Sequence, residues 1–283
     1  MTRRPSWRRG DRTRLRLGGF VLPDWVLFGT VCLVPIGFMV VRSFGRLDPI
    51  TLDVELAGTV DAYRALLSPT YRPVLVRSLT LAVLTVLMCL ALGTPAALAL
   101  SRLPPRAGTA CLVAVMLPSF VSFTVRVFAL QGVLAAGGPV DRLTGAQILF
   151  SPLAVLLGMM TAYLPLFILP AYVALARVPR SMIEAAADLG ARHWRQMSSV
   201  TLPLALPGIV TGAAVVGVLA VGEFIVPAVL GGGKVLLLGT ILAERGAGRD
   251  QPLGGAITVF MLGVFALGGL AVMLVRRRSA RRA

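Results

Sequence analysis

Long apolar runs separated by short polar gaps set the rhythm of this chain. Six runs, roughly 23–44, 75–100, 109–135, 152–175, 206–230 and 253–275, reach the ~20 residues a helix needs to cross the hydrocarbon core. Pro35, Pro95, Pro118, Pro165 and Pro170 interrupt them. Neighbouring helices can satisfy the carbonyls that such prolines free inside a membrane, whereas a soluble helix rarely accepts so many. The pattern predicts an all-α integral membrane protein with six transmembrane helices. The first run is too long for the apolar core of a signal peptide, and no small-x-small cleavage site follows it, so it reads as a retained first span.

Composition points the same way. Hydrophobic residues make up 57% of the 283 positions and charged residues 14%, against roughly 25% charged in a soluble domain. The net charge of +16 raises nucleic-acid binding, but the basic residues gather at the two ends and in the gaps, with few aromatics among them. No nucleic-acid partner is expected; membrane lipid is. Segments 1–20, 101–108, 176–205 and 276–283 hold 18 Lys and Arg, against 7 in 45–74, 136–151 and 231–252. The excess marks the cytoplasmic side. Both termini are therefore predicted to be cytoplasmic, with basic tails at 1–20 and 276–283 and a six-helix transmembrane core at 21–275. Asp48, Asp53, Glu55 and Asp61 read as a solvated outer loop. Cys32, Cys89 and Cys111 have no metal-ligand spacing and read as small buried hydrophobes.

One gap is different. "SMIEAAADLGARHWRQMSSVTLP", residues 181–203, carries Glu184, Asp188, Arg192, Arg195 and the chain's one histidine, His193. Pro179 precedes a run of helix formers. Ser181 and Glu184 have capping-box spacing, and Gly190 stands where a residue of positive φ would end the helix. A second short helix, about 191–199, is expected to lead to Pro203 and Pro207 at the start of the fifth span. Met182, Leu189, Trp194 and Met197 are available for docking. Taken by itself, the segment reads equally as a structural amphipathic loop.

Glu184-Ala185-Ala186, three residues, Gly190, nine residues and Val200-Thr201-Leu202-Pro203 resemble the signature loop of ABC importer permeases. Val200 replaces the usual isoleucine. "MLPSFVSFTVRVFALQGVL" (116–134), "VGEFIVPAVLGGGKVLLLGTIL" (221–242) and "GRDQPLGGAIT" (248–258) are similar to the spermidine/putrescine branch, with Gln251 where that branch usually has tryptophan. The resemblance covers roughly residues 20–275. It implies a type I importer permease fold and a multi-pass protein of the cell inner membrane. It also implies that Glu184, Ala185, Ala186, Gly190, Leu202 and Pro203 form a coupling element seated on a cytoplasmic ATPase. The partners it implies are two copies of that ATPase subunit, a second related permease and an extracytoplasmic solute-binding protein. The implied cargo is a polyamine or similar small cation. An importer for an opine, a compatible solute, iron or an oxyanion remains the alternative. A membrane enzyme or a non-transporting scaffold fits less well.

Three charges sit in or near the runs. Asp24 lies at the end of the first, where the interface can solvate it. Arg126 and Glu223 each fall 17 positions beyond the expected start of their run (109 and 206), which predicts a similar depth toward the outer side. They fit either a structural ion pair or a cation-binding or gating role for Glu223, with Phe224 beside it on the substrate pathway. No phosphate-cradling loop, metal cluster or nucleophile elbow occurs, and "GGGK" at 231–234 lacks both the spacing and the hydroxyl. No catalytic residue, cofactor or metal is expected, and His193 reads as a surface group.

Overall fold

Each apolar run becomes helix because, without water, a backbone must satisfy its own hydrogen bonds. The computed structural model describes residues 11–47, 54–55, 58–246 and 250–280. Residues 1–10 and 281–283 of the two basic tails, Asp48, Asp53 and the side chain of Asp24 lie outside the described set.

The chain opens with α1 (Asp11–Arg42), which already includes part of the expected N-terminal tail. A two-residue ribbon follows, in which β1 (Arg46–Leu47) pairs antiparallel with β2 (Val54–Glu55). Short α2 (Asp61–Leu66) leads into α3 (Arg72–Arg102), which runs unbroken through Pro95. The third run is split. α4 (Pro105–Phe120) ends where Val121 and Ser122 turn extended (ψ 143° and 130°), and α5 (Phe123–Leu134) restarts the helix. After α6 (Pro139–Thr144), α7 (Pro152–Ala176) passes through both Pro165 and Pro170.

The polar gap forms α8 (Arg180–Asp188) and α9 (His193–Gln196). A π turn over Met197–Thr201 joins α9 to α10 (Leu202–Val221) without a break. The Leu202 amide reaches back five residues to the Met197 carbonyl. Widening here relieves the crowding that the Pro203 ring imposes on the preceding turn. The fifth span therefore does not begin at its prolines. It continues a helix that starts at His193. Beyond it lie α11 (Ile225–Leu230), α12 (Leu238–Ile241), a second π turn (Leu242–Gly246) and α13 (Gln251–Ala280).

Five helical stretches are long and apolar enough to cross a membrane: Arg72–Arg102, Phe123–Thr144, Pro152–Ala176, His193–Val221 and Gln251–Arg278, with a shorter apolar helix over Gly29–Arg42. Packing centres on α7, which lies against α3 and α10 along much of its length. Small residues allow the close approach: a Cβ on Gly208 would sit 2.3 Å from Ala174 Cβ and 2.6 Å from the Pro170 carbonyl oxygen. Phe167, Met159 and Val155 of α7 are fully buried. Cys89 is buried as expected, but Cys32 and Cys111 are exposed on this chain, because the apolar face of a membrane helix looks outward as readily as inward.

The loops fall into two groups at opposite ends of α3. At its C-terminal end, Arg102 bonds His193. At its N-terminal end, Arg77 donates to the Lys234 carbonyl. These are the same two groups that the basic-residue count separates.

Candidate coupling element and intramembrane polar site

At one end of the bundle, Pro179 (φ −65°, ψ 129°) stops the extension of α7 and serves as the N-cap of α8. The expected capping box does not form. With Arg180 already the first helical residue, Ser181 lies inside the helix, and no side chain caps its start. The C-terminus matches the expectation. Gly190 takes φ +81°; its amide reaches Ala187 O at 2.8 Å and the Ala191 amide reaches Ala186 O at 3.0 Å. This is the paired bonding of a Schellman end.

Ile183 and Ala186 are partly buried, while Ala185 and Glu184 face out. Leu189 (89% exposed) and Trp194 (73%) form an uncovered apolar tip. Gln196 Nε2 ties the turn to Ala191 O at 2.7 Å. Arg102 meets His193 Nε2 at 3.0 Å; because arginine has only donors, that nitrogen is the acceptor. Between this element and the α3–α4 turn lies a cavity of about 730 Å³, bordered by Arg102, Tyr172, Arg180, Glu184 and His193. Leu202 and Pro203 follow at the head of α10, with Pro203 exposed.

The second site lies within the bundle. Glu223 is 6% exposed, at the end of α10 rather than within a fifth span reaching residue 230. It does not pair with Arg126. Its Oε1 accepts from the Ile225 and Val226 amides at 2.8 and 3.1 Å, and its Oε2 accepts from the Tyr163 hydroxyl. The carboxylate thus satisfies the orphan amides at the start of α11. Phe224, next to it, is 45% exposed. Arg126 instead lies with Cζ 5.6 Å from the Phe123 ring centroid, and Phe123 stacks on Tyr163 at 6.3 Å. A chain of contacts therefore runs from Arg126 through two rings to Glu223.

The depth differs too. Tyr163 is 11 residues from the Pro152 end of α7 and 13 from the Ala176 end, so Glu223 meets α7 near its middle. Counting from residue 206 placed it too far out, because the helix starts earlier and stops at Val221. The same count took the third span as one rod.

Tyr163 and Ser78 escaped the sequence reading. Buried Ser78 Oγ accepts from the Leu238 amide at 2.8 Å and donates to Val74 O. The available signal for Tyr163 was a hydroxyl in the middle of an apolar run, which needs a partner when buried.

Comparison with known proteins gives this geometry its context. Residues 90–283 match the family described as the binding-protein-dependent transport system inner membrane component. The chain is 32% identical over 237 residues to the spermidine/putrescine transport system permease protein PotB of Escherichia coli (strain K12), covering 81% of this chain and 85% of that one. It is 30% identical over 260 residues to the inner membrane ABC transporter permease protein YdcU of the same organism, covering 85% and 83%. It is 31% identical over 172 residues to the molybdenum transport system permease protein ModB of Azotobacter vinelandii, covering 59% and 73%. Among solved structures, a bacterial alginate ABC transporter in complex with an alginate-bound periplasmic protein contains a chain of similar fold. Its TM-score is 0.69 at 17% identity, covering 96% of each chain. The MetNI methionine ABC transporter gives 0.57 at 20% identity, covering 75% of this chain and 99% of that one. The relatives are permease subunits rather than enzymes. The chain belongs to the family of inner membrane components of binding-protein-dependent transport systems.

Proposed function

We propose that this chain is one of two permease subunits of an ATP-driven importer for a polyamine or similar small cation. The carrying observation is the α8–Gly190–α9 element. It projects an uncovered apolar tip beyond the bundle and continues directly into α10. Two ATPase subunits would drive the importer, one seated on Glu184, Ala185, Ala186 and Gly190 of this chain. An extracytoplasmic binding protein would deliver the cargo at the other end. Both termini and residues 176–205 would face the cytoplasm, and basic tails would flank the core at 21–275. ATPase closure would move the coupling element as a rigid body.

The PotB relative supports a polyamine cargo; the ModB relative, for molybdenum, keeps an oxyanion as the second reading. In this proposal the cargo passes Phe224, which Glu223 holds in position by capping α11. The test is uptake into proteoliposomes holding the chain with its second permease, ATPase and binding protein. ATP-dependent uptake of labelled spermidine, reduced by unlabelled putrescine and not by molybdate, is expected. Uptake of molybdate but not spermidine would overturn the cargo assignment.

A further inference from the structure

Arg126 is an intramembrane cation with no counter-ion among the described residues of its own chain. Among the described residues its side chain makes no salt bridge and no hydrogen bond, and its Nε is buried without a partner. It lies in a groove of about 320 Å³ between α5 and α7, with Gly158, Thr161 and Ala162 on the α7 wall. Those residues are 6, 9 and 10 positions from Pro152, or about 9–15 Å down a helix axis. In a core ~30 Å thick this is far from either headgroup layer, so a lipid phosphate does not reach it.

The side chain does not snorkel outward either. Its guanidinium leans over Phe123, one turn nearer the cytoplasmic end of the span. A charge held this way in hydrocarbon is costly, and such residues pair or face water. The groove's surroundings are apolar and uncovered: Phe120 (85% exposed) ends α4 beside it, and Val125 and Phe128 stand exposed on α5.

Resting on the two-permease reading above, we infer that Arg126 is the docking point for a membrane helix of the second permease that carries an Asp or Glu. A second copy of this chain does not fit. Among its described acidic side chains only Glu223 is buried within the bundle, and both its oxygens are engaged. Asp24 stands at the edge of the first apolar run. The charge therefore selects a partner of different sequence, because a matching carboxylate attracts and a like charge repels.

The experiment uses the complete complex, purified through a tag on the second permease. Arg126→Glu should lower recovery of this chain by about tenfold or more, while Arg126→Lys should retain it. Each Asp or Glu in the spans of the second permease is then changed to Arg alongside Arg126→Glu. One such reversal should restore recovery to within about twofold of wild type. This rescue remains decisive if the single variant accumulates poorly. Wild-type recovery of Arg126→Glu, or rescue by no reversal, overturns the inference. A wild-type chain that recovers no second permease would sink the two-permease reading, and this inference with it.

Discussion

Glu223 is the residue at which position along the chain and position in space diverge most. Its charge suggested a cation site or a partner for Arg126, yet its oxygens serve Tyr163 and two amides of α11. Removing one partner of a buried hydrogen bond costs about 1–3 kcal/mol. Tyr163→Phe should therefore lower the thermal midpoint of the purified complex, and an unchanged midpoint would mean the bond contributes nothing. Glu223→Gln keeps an acceptor for the amides, so assembly and most spermidine uptake should persist. Intact assembly with uptake lost would instead put the carboxylate on the cargo's route. The charges themselves were legible in the sequence because they interrupt apolar runs. Their partners were not: Tyr163 lies 60 positions from Glu223, and a hydroxyl among aliphatics announces a need for a partner without naming one.

At the scale of elements, the α8–Gly190–α9 segment was the most legible part of the chain, since turn chemistry is local. Gly190 was read correctly from one residue and its neighbours. Ser181 was misread because Pro179 opens the helix two residues earlier than a serine cap would. A Cβ on Gly190 would meet nothing within 4 Å, so only its backbone conformation resists substitution. That strain is about 1–2 kcal/mol for most residues and least for Asn. Gly190→Asn should keep binding-protein-stimulated ATP hydrolysis near wild type, whereas Gly190→Val should impair it with the spans still folded. Equal stimulation in the two variants would remove the turn from the coupling mechanism. Gly208 presents the opposite case, a steric one. Gly208→Leu should destabilise the α7–α10 contact by about 1–3 kcal/mol or more, visible as lower yield and thermal midpoint. The break at Val121–Ser122 and the π turn were illegible. Four other prolines expected to interrupt spans are crossed by continuous helix, so proline alone does not decide where a span parts.

For the whole molecule, the basic-residue excess divides the loops into the same two groups that the fold places at the two ends of α3. That grouping was legible because charge placement itself directs insertion, so basic residues collect in the loops of one end. Asp61 and Arg106 are exposed at opposite ends. In a cysteine-free background, an impermeant thiol reagent added outside should label Asp61→Cys and spare Arg106→Cys. The reverse pattern would invert the molecule. The uninterrupted passage from α9 to α10 also has a mechanical meaning. His193–Val221 is a lever of 29 residues, about 43 Å long. A tilt of about 5° around its midpoint displaces each end of a rigid rod of that length by about 2 Å. The far end carries Gly222, Glu223 and Phe224, so in the proposed importer a push at Trp194 would reach the middle of the bundle as a swing. Softening the shaft with Ser198→Gly and Ser199→Gly should leave ATP turnover intact and lower the cargo moved per ATP; an unchanged ratio would show that stiffness here carries no stroke.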